Sequence, residues 1–196
     1  MKKRLIVGIT GASGAPLAIA LLKELRRHEE WESHLIITRG GAETILLETG
    51  MEPEEVGRLA DHVYDNGSIG AAVASGTFLT EGMVIVPCSM KTAAGINSGY
   101  SDNLLLRAAD VVLKETRPLV LVARETPLSQ IHLRNLYGLS QAGATILPAM
   151  LTYYNRPVSM EDMTGHLVSK ILSRWGIEAS CARHWQGMEM NVQKKG

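Results

Sequence analysis

A single doubly wound α/β domain with a mainly parallel sheet is predicted by three observations. Short apolar runs at residues 5–10, 33–38, 83–87 and 118–123 alternate with segments of helical periodicity. Two of them, 83–87 and 118–123, are continuously apolar, as strands covered on both faces must be. Nineteen glycines against 5% aromatic residues suit tight strand-to-helix turns better than a β-sandwich or a stacking-type RNA module.

The elements follow in order. The first strand ends at Gly11, Ala12, Ser13 and Gly14, with Pro16 at the first helical position. Leu17, Leu21, Leu22 and Leu25 recur at helical spacing as far as the charged residues 26–30, and the strand at 33–38 completes a βαβ unit. Helices near 41–48 and after Pro53 precede a turn at Asp65, Asn66 and Gly67; the Gly/Ala/Ser-rich stretch to residue 81 reads as a loop or short helix. Between the apolar strands lie residues 89–98, helical in part, and a stronger helix at 102–115. A helix at 129–141 and a strand at 145–147 come next. Ser159 to Asp162 resembles a capping box with Asp in place of Glu, and it opens a helix on which Met163, Leu167, Ile171 and Trp175 share a face and which stops at Gly176. The expected domain spans residues 1–187, with 188–196 a flexible tail.

Composition removes several classes of function. With 196 residues and 45% hydrophobic content, one core is expected. Twenty Lys+Arg balance twenty Asp+Glu, so no net field draws the chain to nucleic acid or to anionic lipid. Cys88 and Cys181 lack CxxC spacing, which argues against a disulfide framework or a zinc knuckle and points to a reducing cytoplasm. No apolar stretch approaches the ~20 residues that span a bilayer, and the basic start meets Thr10 and Gly11 before a signal-peptide core forms. A soluble cytoplasmic protein is expected.

Three places could carry chemistry. The Gly11–Gly14 turn joins a strand to a helix, where backbone N–H groups face an anion such as a phosphate; a plain tight turn is the alternative. Its spacing matches neither GxGxxG nor the Walker motif, and Ala15 breaks the GxSxG elbow. Residues 87–92 offer hydroxyls and an ammonium at the end of a buried strand, fitting a phosphate or flavin contact or, equally, Ser89 as an N-cap with Lys91 solvated and Cys88 in the core. Arg107 and Lys114, about 10 Å apart on one helix face, either clamp an anion or pair with Asp110 between them. Arg124 and Glu125 close a strand at the end where ligands of such sheets bind.

Gly11 to Pro16 (GASGAP), Leu47 to Thr49 (LET), Pro87 to Thr92 (PCSMKT), Arg107 to Glu115 (RAADVVLKE), Leu121 to Leu128 (LVARETPL) and Trp185 to Gly187 (WQG) together resemble the UbiX-type flavin prenyltransferases. The closing residues 183–187 resemble most the subunits that accompany phenolic-acid decarboxylases. The resemblance implies a Rossmann/flavodoxin-like three-layer sandwich. It also implies transfer of the dimethylallyl group of dimethylallyl monophosphate to N5 and then C6 of reduced FMN, giving prenylated FMN for a separate UbiD-type decarboxylase. By the family pattern, FMN contacts fall on Gly11, Ala12, Ser13, Thr38, Ser89, Met90, Lys91, Thr92 and Arg124. Prenyl-phosphate contacts fall on Arg107, Lys114, Glu125, Tyr154 and Lys170, with Tyr154 and Trp185 closing around the prenyl group. Ser13, Glu48 and Glu125 match residues linked to proton handling, and Lys114 joins them in the catalytic set. A large homo-oligomer, a dodecamer, with sites completed by neighbouring subunits is likewise implied.

The chain has no DDxxD, HExxH or Cys/His cluster, so no metal is expected and basic side chains must stabilise the departing phosphate. Two other readings stand beside this one. An FMN-dependent cysteine decarboxylase of the same fold would carry PASANT-like and PxMNxxM motifs, which are absent. A non-catalytic flavin-binding subunit would leave the ionisable residues at the strand ends without a task.

Overall fold

The computed structural model describes residues 2–182 and Gly187. Trp185 and the expected tail 188–196 lie outside the described residues. The chain divides into two compact units, Met1–Ala149 and Met150–Gly196.

In the first unit a βαβ unit opens the chain, with β1 (Lys3–Ile9), α1 (Ala15–Leu25) and β2 (Trp31–Ile37). Next come α2 (Arg39–Thr49), a short α3 (Pro53–Gly57) and β3 (His62–Tyr64). The stretch expected to be loop or short helix contains one 3-10 turn at Ala72–Ala74. Then follow β4 (Gly82–Cys88), α4 (Met90–Asn97), α5 (Leu104–Lys114), β5 (Leu119–Ala123), α6 (Gln130–Gln141) and β6 (Thr145–Ile146). All six strands are parallel, in the order β3-β2-β1-β4-β5-β6. The chain winds outward from β1 to β3 and returns to β4 on the other side of β1. The topological switch point, where ligands of doubly wound sheets bind, therefore lies between the C-terminal ends of β1 and β4.

Successive strand residues point to opposite faces. Ile6, Ile36, Met83 and Ile85 pack beneath Leu105, Ala108, Ala109 and Val112 of α5 and Ala93 and Ile96 of α4. Leu5, Val7 and Ile9 alternate with them and are equally buried. Helix α1 buries Leu17, Leu21, Leu22 and Leu25, so the apolar stripe read from the sequence is its core face. Each such side chain contributes about 1.5–3 kcal/mol of transfer free energy, which fixes the register of these elements.

Strands β1 and β2 begin earlier than hydropathy indicates, because Lys3 pairs with Trp31 and Arg4 with Glu32, whose side chains form an ion pair at 2.6 Å. Strand β3 has no counterpart among the expected elements. It is three residues long, lies at the sheet edge and leaves His62 and Val63 exposed, so it has no apolar run to announce it.

In the second unit, α7 (Met160–Leu172) is capped by Ser159, whose hydroxyl accepts from Asp162 N. The expected reciprocal half of a capping box does not form. The Asp162 carboxylate accepts from Val158 N at 2.9 Å instead, one residue before the cap. A 3-10 turn at Ser173–Trp175 extends the helix to Gly176, whose φ of 68° is the left-handed stop expected there. Among the described residues, no helix is long and apolar enough to cross a membrane.

Candidate functional site

The strand ends at the switch point are tied to one another by side chains. Thr10, 1% exposed, donates its hydroxyl to Pro87 O at 2.7 Å and accepts from Ser89 N at 2.9 Å, joining the ends of β1 and β4. On the other side, Thr38 N and Oγ1 both donate to Ile9 O, at 3.0 and 3.2 Å, and Thr38 Oγ1 caps α2 by accepting from Gly41 N. Here the backbones nearly touch: a Cβ on Gly41 would stand 2.5 Å from Ile9 O, and one on Gly11 would stand 3.1 Å from Gly40. Only glycine permits that approach.

The anion that holds the N-terminus of α1 belongs to the chain itself. Glu48, from the C-terminal turn of α2, accepts from Gly14 N at 2.9 Å and Ala15 N at 2.8 Å. This corrects the expectation that these amides face a phosphate. Burial pushes the Glu48 carboxyl up, but hydrogen bonds from the Ser13 hydroxyl and the Gly14 and Ala15 amides, with the charge of Arg124, outweigh it and leave the pKa below the ordinary value. Glu48 is thus a carboxylate at neutral pH, in direct contact with Ser13.

At the end of β4, Ser89 caps α4 through Thr92 N, as the structural alternative anticipated. Met90 and Thr92 are buried and Lys91 is exposed, so their backbones and the Lys91 ammonium border this end. Cys88 is fully buried and its thiol is pushed up to about 12, which makes it a core residue and not a nucleophile. Arg124 N donates to Cys88 O, which brings Arg124 and Glu125, both exposed, beside the Ser89 turn. Gly11, Ala12, Ser13, Thr38, Glu48, Ser89, Lys91, Arg124 and Glu125 therefore gather at the C-terminal ends of β2, β1, β4 and β5.

The helix pair does not join them as a unit. Arg107, near the start of α5, binds Asp110 at 2.8 Å, the ion pairing that spacing offered as the alternative to an anion clamp. Lys114 ends the helix beside Gly76 and is engaged by Glu115. Gly76 and Phe78 hold Arg117 just ahead of β5, and residue 81 pairs with Arg4 just ahead of β4. Lys114 thus sits at the N-terminal ends of the strands, across the sheet's length from Ser89 and Glu125. In the second unit, Tyr154 lies against the His166 ring, and Lys170 is exposed on α7.

One cluster went unnoticed in the sequence. Glu32, His34 and His62 bring their ligand atoms within 4.8 Å of one another near the start of β2 and β3. The His34 and His62 rings stack at 4.6 Å and 17°, so their in-plane lone pairs run in nearly parallel planes and do not converge on one ion. Arg4 already occupies Glu32. Thr10 was also missed as a site element. Its signal was a hydroxyl closing an otherwise apolar run.

Residues 1–175 match the family model Flavoprotein. The chain is 50% identical over 185 residues to a probable UbiX-like flavin prenyltransferase of Streptomyces sp. (strain D7), covering 94% of this chain and 92% of that one. Among solved structures, it superposes with TM-score 0.92 on a dodecameric FMN-dependent UbiX-like decarboxylase from Escherichia coli O157:H7, 49% identical over 94% of this chain and all of the other. It also matches AnUbiX (PadA1) in complex with FMN and dimethylallyl pyrophosphate, with TM-score 0.94 and 44% identity over 96% of this chain and 100% of that one. Identity at this level along nearly the whole of both chains makes this protein a member of the Flavoprotein family, within its UbiX-like flavin prenyltransferases.

Proposed function

We propose that the protein joins the dimethylallyl group of dimethylallyl monophosphate to N5 and C6 of reduced FMN, and that a UbiD-type decarboxylase uses the product. The observation that carries this reading is the meeting of Ser13, Thr38, Ser89, Lys91 and Arg124 at one switch point, in a chain similar throughout to AnUbiX. These residues fit a flavin. The contact between Gly11 and Gly40 leaves no side chain between the β1 and β2 turns, hydroxyls offer donors and acceptors, and two exposed cations stand ready for a phosphate. Because Glu48 fills the α1 terminus, the flavin phosphate belongs at the α2 and α4 ends, where first-turn amides point out of the helix.

Reduced FMN, when bound, supplies the nucleophilic ring atoms. Arg124 holds negative charge at the strand end, and Glu125 beside it donates a proton to the leaving phosphate. Glu48, accepting from Ser13, keeps that hydroxyl oriented and able to pass its proton on. Tyr154, Lys170 and Trp185 keep the prenyl-phosphate roles that the family pattern gives them.

Lys114 supports a homo-oligomer as the working form. Its place at the far end of the sheet lets it serve the reaction only in a site completed by a second copy. Mixing inactive Lys114→Ala and Glu125→Gln subunits should restore activity; no recovery in verified mixed oligomers would rule out a shared site.

Anaerobic incubation with reduced FMN and dimethylallyl monophosphate, followed by mass spectrometry of the released flavin, tests the reaction. Prenylated FMN is expected. Unmodified FMN together with CO₂ from a cysteinyl peptide would favour the cysteine decarboxylase. Bound but unmodified FMN without CO₂ would favour the non-catalytic subunit.

A further inference from the structure

We propose that Thr10 is a positioning residue, whose hydroxyl sets the spacing between the Gly11–Gly14 turn and the Ser89–Thr92 turn and so shapes the flavin site. The proposal rests on the flavin reading above. The registered pairing of β1 with β4 runs from Leu5↔Gly82 to Gly8↔Ile85 and stops there. Past that point, Pro87 has no N–H to donate, and the pairing of β4 with β5 shifts register between Ile85 and Cys88. The ladder therefore ends before either ligand-bearing turn begins.

Thr10 takes over where the ladder stops. One buried oxygen donates to Pro87 O and accepts from Ser89 N, replacing two backbone bonds with a side-chain bridge. The Ser89 amide is thereby aimed at Thr10, which orients the first turn of α4 and the Lys91 that it carries. Across β1, Thr38 makes the corresponding tie to β2 through Ile9 O. The two threonines hold three strand ends in fixed relation, and Thr10 is the one that reaches β4.

A bridge of this kind requires a hydroxyl and not merely a side chain of threonine's shape. Thr10→Val keeps the shape and loses both bonds, whereas Thr10→Ser keeps both. FMN affinity, followed by flavin fluorescence, should weaken about tenfold in Thr10→Val and stay within about twofold in Thr10→Ser. KM for dimethylallyl monophosphate at saturating FMN should not change, and hydrogen exchange at the Ser89 amide should speed up only in the Val variant. If Thr10→Val does not fold, Thr10→Ala is read in its place. A Val variant that melts earlier yet binds FMN like the wild type would reduce Thr10 to a structural role and overturn the proposal, as would a Ser variant as impaired as Val. Failure of the wild type to bind FMN would instead refute the flavin reading. The tie is then judged by Ser89 exchange alone, where equal rates in wild type and Val would overturn it.

Discussion

Replacing Glu48 with Gln asks whether the α1 terminus is held by a charge or only by an acceptor. Glu48 Oε2 receives both Gly14 N, at 2.9 Å, and Ala15 N, at 2.8 Å. The amide oxygen of Gln can stand in the same place, so both bonds survive and their charge assistance is lost. A hydrogen bond to a charged group contributes about 1.5–3 kcal/mol and a neutral one about 1 kcal/mol. A carboxylate at a helix N-terminus adds about 0.3–1 kcal/mol. Glu48 is partly exposed, so solvent screening leaves an expected loss of about 1–2 kcal/mol at neutral pH. In a chain of this size that lowers Tm by about 2–8 °C. The folded pKa lies below the ordinary value of 4.5, so the stabilisation is complete above that value and disappears as pH falls through the folded one. Thermal unfolding by circular dichroism should show a constant gap between variant and wild type from about pH 7 to 5, closing at lower pH. No gap at neutral pH, or a gap that keeps its width in acid, would refute the charge argument.

Three further outcomes are expected. His34 is 2% exposed, and burial holds its pKa below the ordinary 6.5 despite the neighbouring Glu32 carboxylate, so the wild type should lose stability as pH falls below that value; His34→Phe should flatten this slope in pH-dependent urea unfolding, and an unchanged slope would exclude His34 as its source. Gly41→Ala sets a Cβ 2.5 Å from Ile9 O and should cost about 1–3 kcal/mol by denaturant titration, whereas a neutral result would mean that the β1 and β2 ends separate freely. Glu125→Gln should keep FMN affinity while single-turnover prenylation slows by ~10²-fold or more, and a near-wild-type rate would remove Glu125 as the acid.

What could be read from the sequence followed from burial. Strands β1, β4 and β5 are apolar because both faces of a parallel sheet are covered, and α1 and α5 show their stripes because each packs on one face. Edge strand β3 was hidden because its stability comes from pairing with β2 and not from apolar residues. Hydropathy places charged Arg4 and Glu32 outside the strands because it does not register a cross-strand ion pair. The α7 cap was half legible: Ser159 acts as expected, but the shorter Asp162 side chain turns to Val158 rather than to the cap.

At the site, local chemistry was easier to read than position. The sequence points to a phosphate at the turn after β1, but the Gly14 and Ala15 amides are taken by Glu48, 34 residues away from Gly14 in sequence and brought there by the packing of α2. Spacing alone could not choose that carboxylate. Lys114 shows a different limit, one that topology could have removed. Helical periodicity puts Arg107 and Lys114 on one face of α5, yet α5 is followed directly by β5, whose N-terminal end lies across the sheet from the ligand crevice. A helix leading into a parallel strand starts near the strand C-termini and finishes about 1.5 Å per residue further away. From Arg107 in the first turn of α5 to Lys114 at its end that is about 10 Å, so the first cation can border the crevice of its own chain while the second cannot. An anion held by both Lys114 and Glu125 consequently needs two copies of the chain.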